Sequence, residues 1–303
     1  MKQKKIGVLM GGLSPEREVS LTSGKAIFDA IQSKGLNAEM IDVDHKIGAT
    51  LAEQNIDLAC IALHGTWGED GTIQGILEYL KIPYTGSGVL GSAISYNKVV
   101  SKEIFMERGI PTAPYQVITA EDRSQMKRTL DLPVVVKPAD QGSSIGVSIV
   151  KTESQWEKAL DEAFEVSEEI LIEQFIEGKL LAVGMNGPQP MPIVEIVPKS
   201  GFYDYEAKYT EGKTDYVCPA QLTLEEIKQC NDASVRVFKA LKGRGFPRVD
   251  LILAQGIPYA LEMNTVPGMT PTSLLPMAAS RDGLEFDDLV IEILKTARLD
   301  YKN

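Results

Sequence analysis

The sequence predicts an α/β protein, with an N-terminal parallel sheet and a two-part region of mixed strands and helices behind it. Three observations carry this. Up to about residue 95, short apolar runs alternate with helix-length stretches across short loops, the pattern of a parallel sheet wrapped by helices. Near the other end, Arg248–Asn264 alternates with a period of two, which marks a hairpin burying one face. The 303 residues suffice for two or three cores at about 100–150 residues each.

Taken in order, residues 5–10 (KIGVLM) form a buried strand ending in Gly11-Gly12. Ser14 and Pro15 open a helix that runs to about Lys34 and stops at Gly35. Strands follow at Asn37–Val43 and Asp57–Leu63, then a helix at Thr72–Leu80 that ends before Pro83. Asn97–Arg108 is helical and ends at Gly109 and Pro111. The second region then places strands at 115–119, 133–137, 147–150 and 170–175, with helices at 120–130 and 153–164. The third has strands at 180–185 and 191–197, a helix at 224–241, the hairpin, and closing helices from about Thr272 and Phe286. Between them, residues 198–213 form a long polar loop. Loops of that length tend to be lids, and Tyr203, Tyr205 and Tyr209 argue for a packed one.

Composition excludes several classes. The net charge of −11 disfavours nucleic acid as a partner. No apolar run approaches the ~18 residues of a membrane span, and residues 6–10 are too short for a signal peptide. Cys60, Cys218 and Cys230 are odd in number and lack C-x-x-C spacing, so free thiols in a reducing compartment are expected. His45 and His64 have no ligand spacing for zinc.

Chemistry concentrates at four places. In the hairpin, centring on Gly256 sets Asp250 opposite Glu262 and Arg248 opposite Asn264 on one face, with residues 254–258 as the turn. The apolar face then comprises Val249, Leu251, Leu253, Ile257, Tyr259, Leu261 and Met263. Opposed carboxylates repel at a Cβ separation of about 5 Å. A divalent cation resolves that conflict, and two carboxylates with an amide suit Mg²⁺. A lone Asp/Glu pair is more often a solvated face. The loop 138–146 (PADQGSSIG) lacks the G-K-[ST] of a Walker motif, yet its glycines, Ser143 and Ser144 could close backbone N–H groups over phosphates. Lys137, ending an apolar strand beside it, needs a partner, and a phosphate would supply one. Glu173 interrupts another apolar strand. Glu16 and the loop 64–71 (HGTWGEDG) lie at carboxyl ends of the parallel strands, where open sheets bind ligands. Alone, Glu16 would be a first-turn helix acid and His64 a loop-stabilising histidine.

Together, His64-Gly-x-x-Gly-Glu-Asp-Gly, Lys137-Pro-x-x-x-Gly-Ser-Ser-x-Gly, the run 202–209 (FYDYEAKY), and Arg248-x-Asp with Leu261-Glu-x-Asn-Thr-x-Pro-Gly-Met-Thr resemble the D-alanine–D-alanine ligases of the ATP-grasp superfamily. The resemblance covers essentially the whole chain. It implies a pre-ATP-grasp domain over 1–96, then the two halves of an ATP-grasp fold over 97–178 and 179–303. It also implies ATP-driven joining of two D-alanines for peptidoglycan and cell-wall synthesis, in bacterial cytoplasm, by a homodimer. ATP would be the substrate with two Mg²⁺ ions, or Mn²⁺ in their place.

By motif position, Lys98, Lys137, Lys208 and Ser144 resemble the nucleotide-binding groups, and Glu173, Gln174, Phe175 and Ile176 the adenine-side segment. Asp250, Glu262 and Asn264 resemble the metal ligands. Glu16 would hold the ammonium of the first D-alanine and connect through Ser143 to Tyr209 on the lid. His64 belongs to the substrate site. Arg248 and the backbone N–H of Gly268 would meet the oxyanion, and Ser273 and Leu274 the carboxylate of the second D-alanine. One departure concerns the ribose: Leu180 stands where the family usually has Glu. The competing readings are a D-alanine–D-lactate ligase, another ATP-grasp carboxylate–amine ligase, or a nucleotide-binding relative without catalysis. The last predicts a missing lysine or metal ligand, and none is missing.

Overall fold

The computed structural model describes residues 3–204, 207, 208, 210 and 212–301. The first unit runs β1 (Ile6–Gly11), α1 (Arg17–Ser33), β2 (Ala38–Val43), α2 (Ile47–Gln54), β3 (Leu58–Ile61), α3 (Thr72–Tyr79) and α4 (Val89–Tyr96), after which α5 (Lys98–Glu107) leads out of it. Its three strands are parallel in the order β2-β1-β3. Every residue of β1 is buried, because helices cover both faces of a parallel sheet. Asn97 caps α5 by accepting the Val100 N–H at 2.9 Å, which fixes where Lys98 enters the helix.

An antiparallel sheet in the order β4-β7-β5-β6 follows. It comprises β4 (Tyr115–Thr119), β5 (Val134–Pro138), β6 (Ser148–Val150), α6 (Trp156–Phe164) and β7 (Glu169–Gln174). The helix expected over 120–130 is absent. That stretch offers only Met126 and Leu130 to a core, too little to offset helix nucleation. Instead, the Gln116 side chain donates to Lys127 O at 2.9 Å and accepts from Thr129 N at 3.0 Å, holding the segment against β4.

The third unit contains β8 (Lys179–Asn186), β9 (Gln189–Pro190), β10 (Val194–Pro198), β11 (Thr214–Val217), α7 (Leu224–Ala240), β12 (Arg248–Ala254), β13 (Ile257–Asn264), α8 (Leu274–Arg281) and α9 (Phe286–Lys295). Its main sheet has the order β11-β10-β8-β12-β13. Among these elements α2, α4, β9 and β11 were not expected. In α2 only Ile47 and Leu51 are buried, and α4 reads as a Gly/Ser loop. One apolar cluster joins Ile6, Val8 and Ile27 to Leu275, Ala278 and Leu289, and to Val194 in β10. The closing helices thereby clamp the parallel sheet to the third unit.

The hairpin has the expected pairs Arg248↔Asn264 and Asp250↔Glu262, but it reaches them differently. Gln255 and Gly256, both with positive φ, make a two-residue turn, so Ala254 and Ile257 already pair. The register shifts between Asp250 and Leu251, which leaves Leu261 as an extra residue, a β-bulge. Met263, Ala260 and Pro258 therefore face the core with Val249, Leu251 and Leu253. Ile257, Tyr259 and Leu261, expected on that face, do not join it. Alternation is counted through a bulge only when the bulge is known.

Candidate active site

A cavity of about 970 Å³ opens where the three units meet. Around it stand Glu16, His64, Lys98, Ser143, Lys208, Arg248, Glu262, Asn264, Gly268, Ser273 and Leu274, all singled out from the sequence. Lys137, Ser144, Glu173, Gln174, Phe175, Ile176 and Asp250 are not in its wall. Tyr209 lies outside the described residues, so its link to Ser143 is not part of the observed geometry.

At one end, Glu16 is buried beyond β1, and the Ser143 hydroxyl donates to its carboxylate. Only glycine permits this approach: a Cβ on Gly142 would lie 2.5 Å from Glu16 Oε2, and one on Gly65 2.6 Å away. Ser143 and Ser144 both adopt positive φ, an uncommon conformation for serine that orients the loop. Ser144 Oγ donates to Tyr203 O at 3.1 Å, fastening the loop to the segment between β10 and β11. Burial pushes the Glu16 carboxyl up, against the Ser143 hydrogen bond and the charges of Lys208 and Lys98. Glu69, which the sequence offered only as part of a loop motif, accepts the Gly65 N–H at 2.7 Å. Burial and the nearby Glu16 push it up to about 8. His64 is buried with Nε2 3.3 Å from Ser23 Oγ, and burial with the Arg248 charge brings it down to about 4. Its imidazole is neutral at pH 7.

The other end is cationic. Lys98 Nζ donates to Gln141 O at 2.6 Å and lies 3.5 Å from Glu262 Oε2, bridging the Gly/Ser loop to the hairpin. Arg248 Nε and Nη2 each donate to Asp250 at 2.7 Å. The opposed carboxylates are thus already compensated, Asp250 by Arg248 and Glu262 by Lys98. Burial alone would raise Glu262, but Lys98, Lys208, Lys137 and Arg248 together bring it down to about 2. Burial lowers Lys208, whose ammonium sits 5.2 Å from the Tyr203 ring centre. Asn264 Oδ1 accepts the Val266 N–H at 3.0 Å. Ser273 is the residue before α8, and its Oγ accepts the Thr270 N–H at 3.1 Å.

Lys137 finds its partner within the protein: its Nζ lies 2.8 Å from Glu173 Oε2. The other Glu173 oxygen lies 2.8 Å from Lys102 Nζ. Lys102 escaped notice in the sequence. Its signal was a lysine between Val99 and Phe105 on the buried face of a helix. The Gln174 side chain donates to Asp131 O and Pro133 O, and the Phe175 N–H to Pro133 O, so this segment leaves the sheet on fixed hydrogen bonds. Leu180 pairs with Ile196 and Ile252 and packs against the first core cluster.

Models of the D-ala D-ala ligase N-terminus and C-terminus match residues 44–87 and 104–295. The D-alanine–D-alanine ligase of Geotalea uraniireducens (strain Rf4) is 48% identical over 301 residues, covering 99% of this chain and 97% of that protein. This chain belongs to the D-ala D-ala ligase family. The enzyme of the same name from Geobacter sulfurreducens is 47% identical, with 100% of this chain and 96% of that protein covered. Among solved structures, the Bacillus anthracis D-alanine–D-alanine ligase superposes with a TM-score of 0.86 at 36% identity, covering 97% of both chains. A crystal structure of that ligase complexed with ATP gives 0.84 at 33% identity, again covering 97% of both. The fold is therefore the ligase fold, with its parallel-sheet first unit and the two antiparallel sheets behind it. No helix among the described residues is long and apolar enough to cross a membrane.

Proposed function

We propose that this protein is an ADP-forming ligase that joins two D-alanines, with ATP as its energy source. What supports this most is the polarity of the cavity where the three units meet. Its Glu16–Ser143 end is anionic and suits an amino-acid ammonium, while Lys98, Lys208 and Arg248 at the other end suit phosphates. The carboxylate of the first D-alanine attacks the γ-phosphorus of ATP, giving an acyl phosphate and ADP. The amine of the second then attacks the acyl carbon, phosphate leaves, and the amine loses its proton. Arg248 and the Gly268 N–H are assigned to the oxyanion of that step, Ser273 and Leu274 to the second carboxylate, and His64 to the substrate wall. Because acyl phosphates hydrolyse, the segment carrying Tyr203 and Lys208 is given the role of excluding water, with Tyr209 as its tie to Ser143.

Lys137, Ser144 and the segment 173–176 are assigned to the nucleotide. Asp250, Glu262 and Asn264 form an all-oxygen donor set that fits Mg²⁺, or Mn²⁺ in its place. Arg248 and Val266 occupy only part of the lone pairs of Asp250 and Asn264. Such a cation would neutralise phosphate charge. The proposal extends to domains at 1–96, 97–178 and 179–303, a cytoplasmic location and a homodimer, the last checked by light scattering. The deciding experiment measures ADP and phosphate release on adding D-alanine and identifies the product. No D-alanine-dependent release, or a depsipeptide formed preferentially when D-lactate is present, would overturn the dipeptide reading.

A further inference from the structure

The charge count around Glu173 gives work to a residue that the reaction above leaves idle. Lys102 has no exposed surface. Its ammonium donates to Thr112 Oγ1 at 2.6 Å and Ala113 O at 3.0 Å, and lies 2.8 Å from Glu173 Oε1 and 5.2 Å from the Tyr115 ring centre. Glu173 Oε2 is equally close, 2.8 Å, to Lys137. Two ammoniums thus share one carboxylate; Lys137 also acts on Glu262, but only at longer range than an ion pair, so one positive charge is in surplus within the cluster, at a site largely closed to water. Buried charge without a counter-ion is costly, so the cluster as a whole calls for an anion. Lys102 cannot offer itself, being enclosed. Lys137 can, because it is the next-to-last residue of β5, just before the Gly/Ser loop, and unlike Lys102 keeps about a tenth of its side chain exposed. Burial draws Lys102 down to about 8 against the pull of Glu173, and the two lysines outweigh burial to hold Glu173 below the usual carboxylate range.

We propose that Lys102 is a positioning residue for the nucleotide: it is the permanent counter-ion of Glu173, which leaves Lys137 able to exchange Glu173 for a phosphate of ATP. This rests on the ligase reading given above. Without Lys102 the count becomes one ammonium to one carboxylate, and Lys137 must abandon a fully compensated pair to reach ATP. A second connection makes the arrangement structural as well as electrostatic. Thr112 Oγ1 donates onward to Ala260 O at 2.8 Å, and the Ala260 N–H donates to Pro111 O at 2.7 Å. The segment that receives Lys102 is therefore pinned to β13, two residues before Glu262.

The test is steady-state kinetics of the full chain with ATP and D-alanine varied separately. Lys102→Met should raise KM for ATP about tenfold or more, with kcat and the KM for D-alanine within about threefold of the parent. Lys102→Arg, which keeps the charge, should restore most of the affinity. In Lys102→Met/Glu173→Gln no full carboxylate holds Lys137, so KM for ATP should fall back to that of Glu173→Gln alone. That last comparison stands even if Lys102→Met does not fold. A folded Lys102→Met with unchanged KM for ATP would overturn the proposal, as would a double variant whose KM equals the product of the two single effects. A parent protein that releases no ADP with D-alanine would instead sink the ligase reading. An active parent with an indifferent Lys102→Met removes only the role of Lys102.

Discussion

Glu16 and Glu69 at one end of the cavity and Glu262 at the other are the same acid, each at least partly withdrawn from water, yet they are driven in opposite directions. Glu69 is pushed up to about 8 and Glu16 is raised, whereas Glu262 is brought down to about 2. The difference lies in their company. Glu16 and Glu69 have each other, a hydroxyl and a backbone N–H, and burial outweighs the pull of Lys98 on both and of Lys208 on Glu16. Glu262 has Lys98, Lys208, Lys137 and Arg248 around it. Carboxylates prevail at one end and cations at the other, so each end suits the charge that its proposed ligand would bring. Opposed shifts of this kind separate the roles of like side chains within one site.

The largest effect should come from breaking the hairpin end. Glu262→Gln is expected to cut ligation by about a hundred- to a thousandfold, the scale on which one preorganised charge acts. Asp250→Asn should be similar and should also lower stability by about 1–3 kcal/mol, because Arg248 loses a charged partner while remaining mostly buried. D-alanine-dependent ADP release and thermal melts of the same samples measure both. A variant that is fully active, or a Glu262→Gln protein that melts higher, would return the two carboxylates to the repelling pair that the sequence suggested.

At the acidic end, Ser143→Ala removes one hydrogen bond to a carboxylate, worth about 1.5–3 kcal/mol. The KM for the first D-alanine should rise by about 10- to 150-fold, with ATP affinity little changed. An equal loss for both substrates would mean that the loop, and not the Glu16 contact, had been damaged.

Glu69 sharpens the comparison through pH. The native protein keeps a proton on Glu69 that the unfolded chain releases, because the carboxyl moves from 4.5 to about 8 on folding. Unfolding free energy from this group therefore declines as pH rises through that window, by at most about 1.4 kcal/mol per unit. Solvent at its partly exposed side chain reduces the slope. Urea melts at pH 5, 7 and 9 should show Glu69→Gln gaining on the parent as pH rises, and parallel curves would contradict the shift.

The smallest effect concerns the ribose. Leu180 has no group to leave unpaired when a hydroxyl is missing, and it packs into an apolar cluster. Lys179, a neighbouring substitute, is held by Glu195 at 3.2 Å and Gln221 O at 3.0 Å. 2′- and 3′-deoxy-ATP should be used nearly as well as ATP, judged by kcat/KM. A preference beyond about a hundredfold, roughly 2.7 kcal/mol, would show that another group, such as the exposed Glu177, reads the ribose.

Much of this was legible in the chain because motif residues are set by backbone constraints that leave marks. The glycines beside Glu16, the period-two hairpin and the strand-end loops all announce themselves. What escaped depends on contacts made across the chain. Lys137 was expected to wait for a phosphate, but Glu173, remote in sequence, occupies it through the pairing of β5 with β7. Lys102 left only the weak mark of a lysine among buried helix positions, and its partner Glu173 is likewise remote in sequence. The stretch 120–130 had helical length without a helical core face, and Gln116 decided its path.

The extra residue at Leu261 gives the hairpin a parity. Counted inward from the two-residue turn without it, Asp250 would pair with Leu261 and Val249 with Glu262, and the carboxylate would point into the core. The bulge restores the phase. An insertion of one residue at the tip is therefore the spatial equivalent of a frameshift, and loss of the bulge is its suppressor. A three-residue tip with no bulge places Glu262 where it stands now. Hairpins of either construction present the same face to the cavity, so the tip can change length without moving Glu262 only if the bulge changes with it.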